Sequence, residues 1–74
     1  MSICINTIRF DKNATYLLIS SNKGFQARSM KNLENVSFEI SPSESGVNDS
    51  VLSLDSKQLI LGTAEGKVFF YRRD

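Results

Sequence analysis

The chain is rich in serine and carries several carboxylates, but it has no histidine. A serine nucleophile needs a base beside it, and imidazole is the usual one. Asp11 and Asp55 are the conceivable carboxylate pair. Each stands in a turn-type sequence, Asp11-Lys12-Asn13 and Asp55-Ser56-Lys57, where a short carboxylate serves by accepting backbone N–H groups. Both are therefore assigned to turns, and the chain is expected not to be an enzyme. The one cysteine, Cys4, lies in an apolar stretch and reads as a small buried hydrophobe rather than a reactive thiol. One cysteine and no histidine allow neither an intrachain disulfide nor a Cys/His metal cage. No catalytic, metal or cofactor-binding residue is assigned, and no cofactor or small-molecule substrate is expected.

Charge is nearly balanced, with nine Lys and Arg against eight Asp and Glu. Arg9, Lys12, Lys23, Arg28 and Lys31 scatter over turns and strand faces, without a stacking-aromatic motif beside them. They read as solvated surface, so nucleic acid and membrane are not expected partners. Ser41 to Ser45 contains a Ser-Pro pair and reads as a solvated linker, with phosphorylation as the alternative. The N-terminus lacks a basic stretch leading into an apolar one, and no apolar run approaches the ~20 residues of a membrane helix. The expectation is an intracellular protein, cytoplasmic or nuclear. On that reading, the glycosylation-type triplets at Asn13, Asn35 and Asn48 are inert.

The elements that carry these residues repeat. Ile8-Arg9-Phe10-Asp11 followed by Tyr16 to Gly24 has the apolar pattern of Leu52-Ser53-Leu54-Asp55 followed by Gln58 to Gly66. Asp11 aligns with Asp55, Leu17 with Leu59 and Gly24 with Gly66 when Asn13 and Ala14 are treated as an insertion. A period of roughly 42–44 residues is that of four-stranded propeller blades. Strands are expected at about 3–10, 15–21, 25–30 and 35–40 in the first unit, and 50–54, 57–63 and 67–72 in the second. Asn22-Lys23-Gly24 and Ala64-Glu65-Gly66 are the hairpin turns. No segment sustains a helical period, so the chain reads as all-β. The polar break around the only proline, Pro42, places the unit boundary, giving a first blade with linker at 1–43 and a second, three-stranded one at 44–74.

Phe10-Asp11-Lys12-Asn13, Leu54-Asp55-Ser56-Lys57 and Leu61-Gly62-Thr63-Ala64-Glu65-Gly66-Lys67-Val68-Phe69-Phe70-Tyr71 resemble the first turn and the following strands of WD40-type β-propeller repeats. Tyr71 falls where that family often has Trp. The chain departs from the family in lacking the Gly-His pair, and with it the buried His–Asp network. Asn22-Lys23-Gly24-Phe25 is similar to the first blade of the phosphoinositide-binding propellers of autophagy. Tyr71-Arg72-Arg73-Asp74 has Asp where their lipid motif has Gly, so that function is not carried over.

The resemblance implies antiparallel propeller-type blades, the second incomplete. Both faces of such a blade pack on neighbours. Two blades therefore leave two apolar faces bare and, with no fourth strand in the second, an open edge near Lys67–Arg72. A partial propeller completed by oligomerisation or by a partner is the expected fold, with a small closed β-barrel as the alternative. The expected function is a non-enzymatic protein–protein interaction scaffold that binds a protein partner or self-assembles. Phe69, Phe70, Tyr71 and Arg72 are its interaction residues, and Leu17, Leu18, Ile19, Leu59, Ile60 and Leu61 its structural core. Phe10, Phe25, Phe38 and Phe69 are likewise assigned to the core. The alternative function is a propeller-derived phosphoinositide or RNA binder using the scattered basic residues.

Overall fold

The computed structural model describes residues 3–42 and 46–72. They form seven strands: β1 (Ile5–Phe10), β2 (Tyr16–Ser21), β3 (Gly24–Ser29), β4 (Phe38–Ile40), β5 (Val47–Leu52), β6 (Gln58–Thr63) and β7 (Val68–Arg72). β1 to β4 form one antiparallel sheet in chain order, and β5 to β7 form a second. The all-β expectation holds. The closed-barrel alternative does not, because the strands divide into two separate ladders that no pairing joins. No helix among the described residues is long and apolar enough to cross a membrane.

Aliphatic and aromatic residues dominate β2 and β6, as suits strands paired on both sides. The turn into β2 is built by Asp11. Its Oδ1 accepts the N–H groups of Thr15 (2.6 Å) and Tyr16 (2.8 Å). The turn into β6 divides the same task. Ser53 Oγ accepts the Gln58 N–H (3.0 Å), and Asp55 Oδ1 accepts the Lys57 N–H (3.0 Å). The backbone bonds match as well: Asp11 N–H to Tyr16 O and Ala14 N–H to Asp11 O correspond to Ser53 N–H to Gln58 O and Ser56 N–H to Ser53 O. Ala14 and Ser56 both have left-handed backbone, at φ 56° and 61°.

These correspondences correct the alignment read from the sequence. The units superpose without an insertion, each residue of β1 and β2 matching the one 42 further along, up to the second hairpin. Asp11 thus corresponds to Ser53, not to Asp55. The matching extends to irregularities, because β1 is bulged between Ile5 and Thr7 and β5 between Val47 and Asp49. That bulge also places β5 earlier than the expected 50–54, since Val47 already pairs with Thr63 and the Ser53–Ser56 turn ends the strand at Leu52.

The sheets pack face to face over a core of Leu18, Phe25 and Ala27 from the first and Val47, Leu52, Leu59 and Leu61 from the second. Tyr16, Phe38, Ile40 and Tyr71 pack around it. At the centre, Ser20 Oγ–H donates to Ser50 Oγ (2.9 Å), which satisfies two buried hydroxyls across the junction. Two glycines permit close approaches, Gly24 to the end of β4 within the first sheet and Gly46 to Asn22 across the junction. Gly24 has φ +127°, and a Cβ there would meet Ile40 O at 2.7 Å; Gly46 has φ +84°, and a Cβ there would meet Asn22 Cα at 2.6 Å. Neither position accepts a side chain without moving backbone.

Candidate interaction surface

The register divides each sheet into two faces. In the first sheet, the cross-strand rows Arg9–Leu18–Ala27–Phe38 and Thr7–Ser20–Phe25–Ile40 face the junction. The rows Ile8–Ile19–Gln26–Glu39 and Phe10–Leu17–Arg28 face away. In the second sheet, Ser50–Leu61–Phe69 and Leu52–Leu59–Tyr71 face the junction. Val51–Ile60–Phe70 and Asp49–Gly62–Val68 form the alternate rows.

The repeat gives this division its meaning. The Ile8 and Phe10 rows correspond to the Ser50 and Leu52 rows, so they are the same face of the unit; we term it the front. The Arg9 and Thr7 rows correspond to the Val51 and Asp49 rows, and these form the back. The front of the second sheet therefore sits on the back of the first. This is head-to-tail stacking, and it leaves one front and one back uncovered.

Both uncovered faces are apolar over their central strands. On the front of the first sheet, Ile5, Ile8 and Phe10 are exposed, while Leu17 and Ile19 are half-buried. On the back of the second, Val51, Ile60, Val68 and Phe70 are exposed, Phe70 to 75%. Residues at equivalent back positions of the first sheet are covered: Leu18 is 1% exposed against 37% for Ile60, Phe25 1% against 57% for Val68, and Ala27 0% against Phe70. Gly62 lies amid the bare back, with nothing within 4 Å of where its Cβ would be.

The four interaction residues read from the sequence divide between faces. Phe70 and Arg72 lie on the uncovered back and contribute to a shallow groove with Gln58 and Ile60. Phe69 and Tyr71 turn towards the junction, half-buried, with ring centroids 6.5 Å apart and planes at 25°. Among the described residues β7 pairs with β6 alone, so its other edge carries no strand. Val68 belongs to the open edge read from the sequence; Val51 and Ile60, and on the opposite side Ile5, Ile8 and Phe10, were not identified as surface residues from the sequence. Period-two alternation separates the two faces of each strand, and the stacking decides which face is covered.

Five core expectations are corrected here, two of them Leu17 and Ile19, which lie half-buried on the uncovered front outside the core cluster. Phe10 and Ile60 are exposed, because alternation in β1 and β6 turns them to the uncovered faces. Cys4 is exposed, since it precedes β1 and only its backbone is tied down, through Asn22. Asp49, at the bulge of β5, departs from its row on the uncovered back: its carboxylate reaches the first sheet and forms the junction's ion pair. Arg9 Nε and Nη2 donate to the two carboxylate oxygens of Asp49 at 2.7 and 2.9 Å, and Thr7 Oγ1 donates to Oδ1 at 3.3 Å. The hydrogen bond from Arg9 is the main cause that holds the Asp49 carboxyl below its ordinary value, and the same pairing raises the guanidinium. Asp55 is lowered chiefly by the Ser53 hydroxyl and then by the Lys57 N–H.

Two of the basic residues lie on opposite faces of the first sheet. Arg9 lies on the back of its sheet, engaged with Asp49, and Arg28 on the front, bonded to Gln26 Oε1 and to Leu33 O. Among the described residues no cluster of His, Cys, Asp and Glu is arranged to hold a metal. Ser43 and Ser45 of the polar linker, and Arg73, lie outside the described residues. The chain matches no known family, no curated protein and no solved structure.

Proposed function

We propose that the chain is a non-enzymatic protein-interaction module, a WD40-like partial propeller whose two bare blade faces and open β7 edge bind protein. The observation that carries this reading is the bare back of the second sheet, where Val51, Ile60, Val68 and Phe70 stand exposed on three adjacent strands. An apolar surface of this kind, at about 25 cal/mol per Å² of apolar area covered, drives association rather than solvation. Closed propellers have about four to eight sheets, so two call for completion by other chains or other units.

The test is sedimentation velocity across a concentration series, with the fluorescence of an apolar dye measured on the same samples. The expected result is association, or a monomer that binds the dye, and a decrease in whichever is seen when Phe70→Asp is introduced. A monomer that binds no dye and is indifferent to Phe70→Asp would overturn the reading.

A further inference from the structure

The head-to-tail stacking says more than that two faces are bare. It specifies what fits them. The uncovered back belongs to the same unit type as the back that the second sheet's own partner presents, and the uncovered front to the same type as the front already docked. A second copy of the chain brings that front. We infer that copies associate head to tail, the front of one first sheet on the back of another's second sheet, in the register of the internal junction. This rests on the protein-interaction reading above and names its partner.

Side-chain size supports the register at its centre. Within one chain, Ser20 of the back meets Ser50 of the front, a small residue on a small one. The position on the bare back that corresponds to Ser20 is Gly62, and the position on the bare front that corresponds to Ser50 is Ile8. Gly62 has open space above it, and Ile8 projects unburied from its own sheet. In the inferred contact the isoleucine of one copy fills the space over the glycine of the next. The polar pair is thus replaced by an apolar knob and a hole, and no hydroxyl is left without a partner. Around it, Leu17 and Ile19 correspond to Leu59 and Leu61, and Ile60 corresponds to Leu18, so the surrounding contacts are apolar in both junctions.

The copied junction differs from the internal one at further places. Val51 and Thr7 stand where Arg9 and Asp49 form the internal ion pair, and Phe70 stands where Ala27 does. Gln26 and Arg28 hold the outer front positions that Phe69 and Tyr71 hold in the second sheet, so its apolar area is narrower. Cys4 holds the place of Gly46, whose missing side chain admits Asn22. The contact between copies is therefore weaker than the contact within one, and it depends on concentration. A contact between unlike faces either closes into a ring or continues as a filament.

Cysteine cross-linking tests the arrangement. In a Cys4→Ser background, Ile8→Cys and Gly62→Cys are placed on separate chains, one carrying a size tag, and mixed under mild oxidation. Oγ atoms 2.9 Å apart at the internal counterpart lie within the reach of a disulfide. The inference expects 8–62 linked pairs to form and to be lost when Phe70→Asp is added to the Gly62→Cys chain. Linked 8–8 or 62–62 pairs in preference would mean that like faces meet, and would overturn head-to-tail assembly. So would the absence of any link. In either case, association seen by sedimentation with its Phe70 dependence would leave the broader interaction reading standing.

Discussion

The two sheets are the same unit in different company. They share turns, bulges and the register of their first two strands, and yet Leu18 is buried where Ile60 is exposed, and Phe25 where Val68 is exposed. Nothing local to the strands accounts for this. What differs is that the back of the first sheet has a sheet lying on it and the back of the second does not. Burial here is set by stacking, and a residue suited to a buried position stands in the open wherever the stack stops.

The sharpest way to break this comparison is to truncate equivalent positions. Leu18→Ala should cost about 3 kcal/mol, a transfer loss plus a cavity. A chain this small has little stability in reserve, so the variant should be largely unfolded in thermal melts. Ile60→Ala at the corresponding bare position should cost about 1 kcal/mol or less in dilute solution, since little area leaves water there. Equal costs would mean that the exposure difference is not real.

The turns offer a smaller contrast. Asp11→Ala removes the acceptor of two N–H groups at once and should cost about 2 kcal/mol in urea unfolding. Asp11→Asn should cost less than Asp11→Ala, because its amide oxygen keeps both bonds, but it should still destabilise, because its NH2 takes the buried place of the carboxylate oxygen that has no hydrogen-bond partner. Ser53→Ala should cost less than Asp11→Ala, because Asp55 retains its share of the turn. Smaller still, Ala14→Gly should stabilise by about 0.5 kcal/mol, because this residue has left-handed backbone that glycine adopts freely.

The pH dependence probes the junction itself. Asp49 has its folded value lowered, so its pairing with Arg9 stabilises the protein above the ordinary carboxylate range and ceases to do so as pH falls through the lowered value. Asp55 acts in the same sense. Melting temperature should fall on acidification, and Asp49→Asn should flatten that fall while slightly lowering stability at neutral pH.

Much of the fold was legible in the sequence, for identifiable reasons. Apolar runs such as Leu17-Leu18-Ile19 and turn residues such as Asn22-Lys23-Gly24 mark strands and hairpins locally. The repeat was visible, but its register was not, because Asp11 and Asp55 share a residue type without sharing a position. The turn's work passes from one carboxylate in the first unit to a hydroxyl and a carboxylate in the second. The split of Phe69, Phe70 and Tyr71 between faces was missed for a related reason. An edge strand was read as one surface, whereas alternation sends neighbours to opposite sides. That Ile60 is exposed while Leu59 and Leu61 are buried follows only once the stacked face of β6 is known.

The most direct measurement of the stacking is an engineered disulfide within one chain. In a Cys4→Ser background, Ser20→Cys with Ser50→Cys should close readily under mild oxidation and raise stability by about 3 kcal/mol. Ile8→Cys with Ile60→Cys, on the two uncovered faces, should not close within a chain. Failure of the first pair, or equal closure of the second, would contradict the head-to-tail stack.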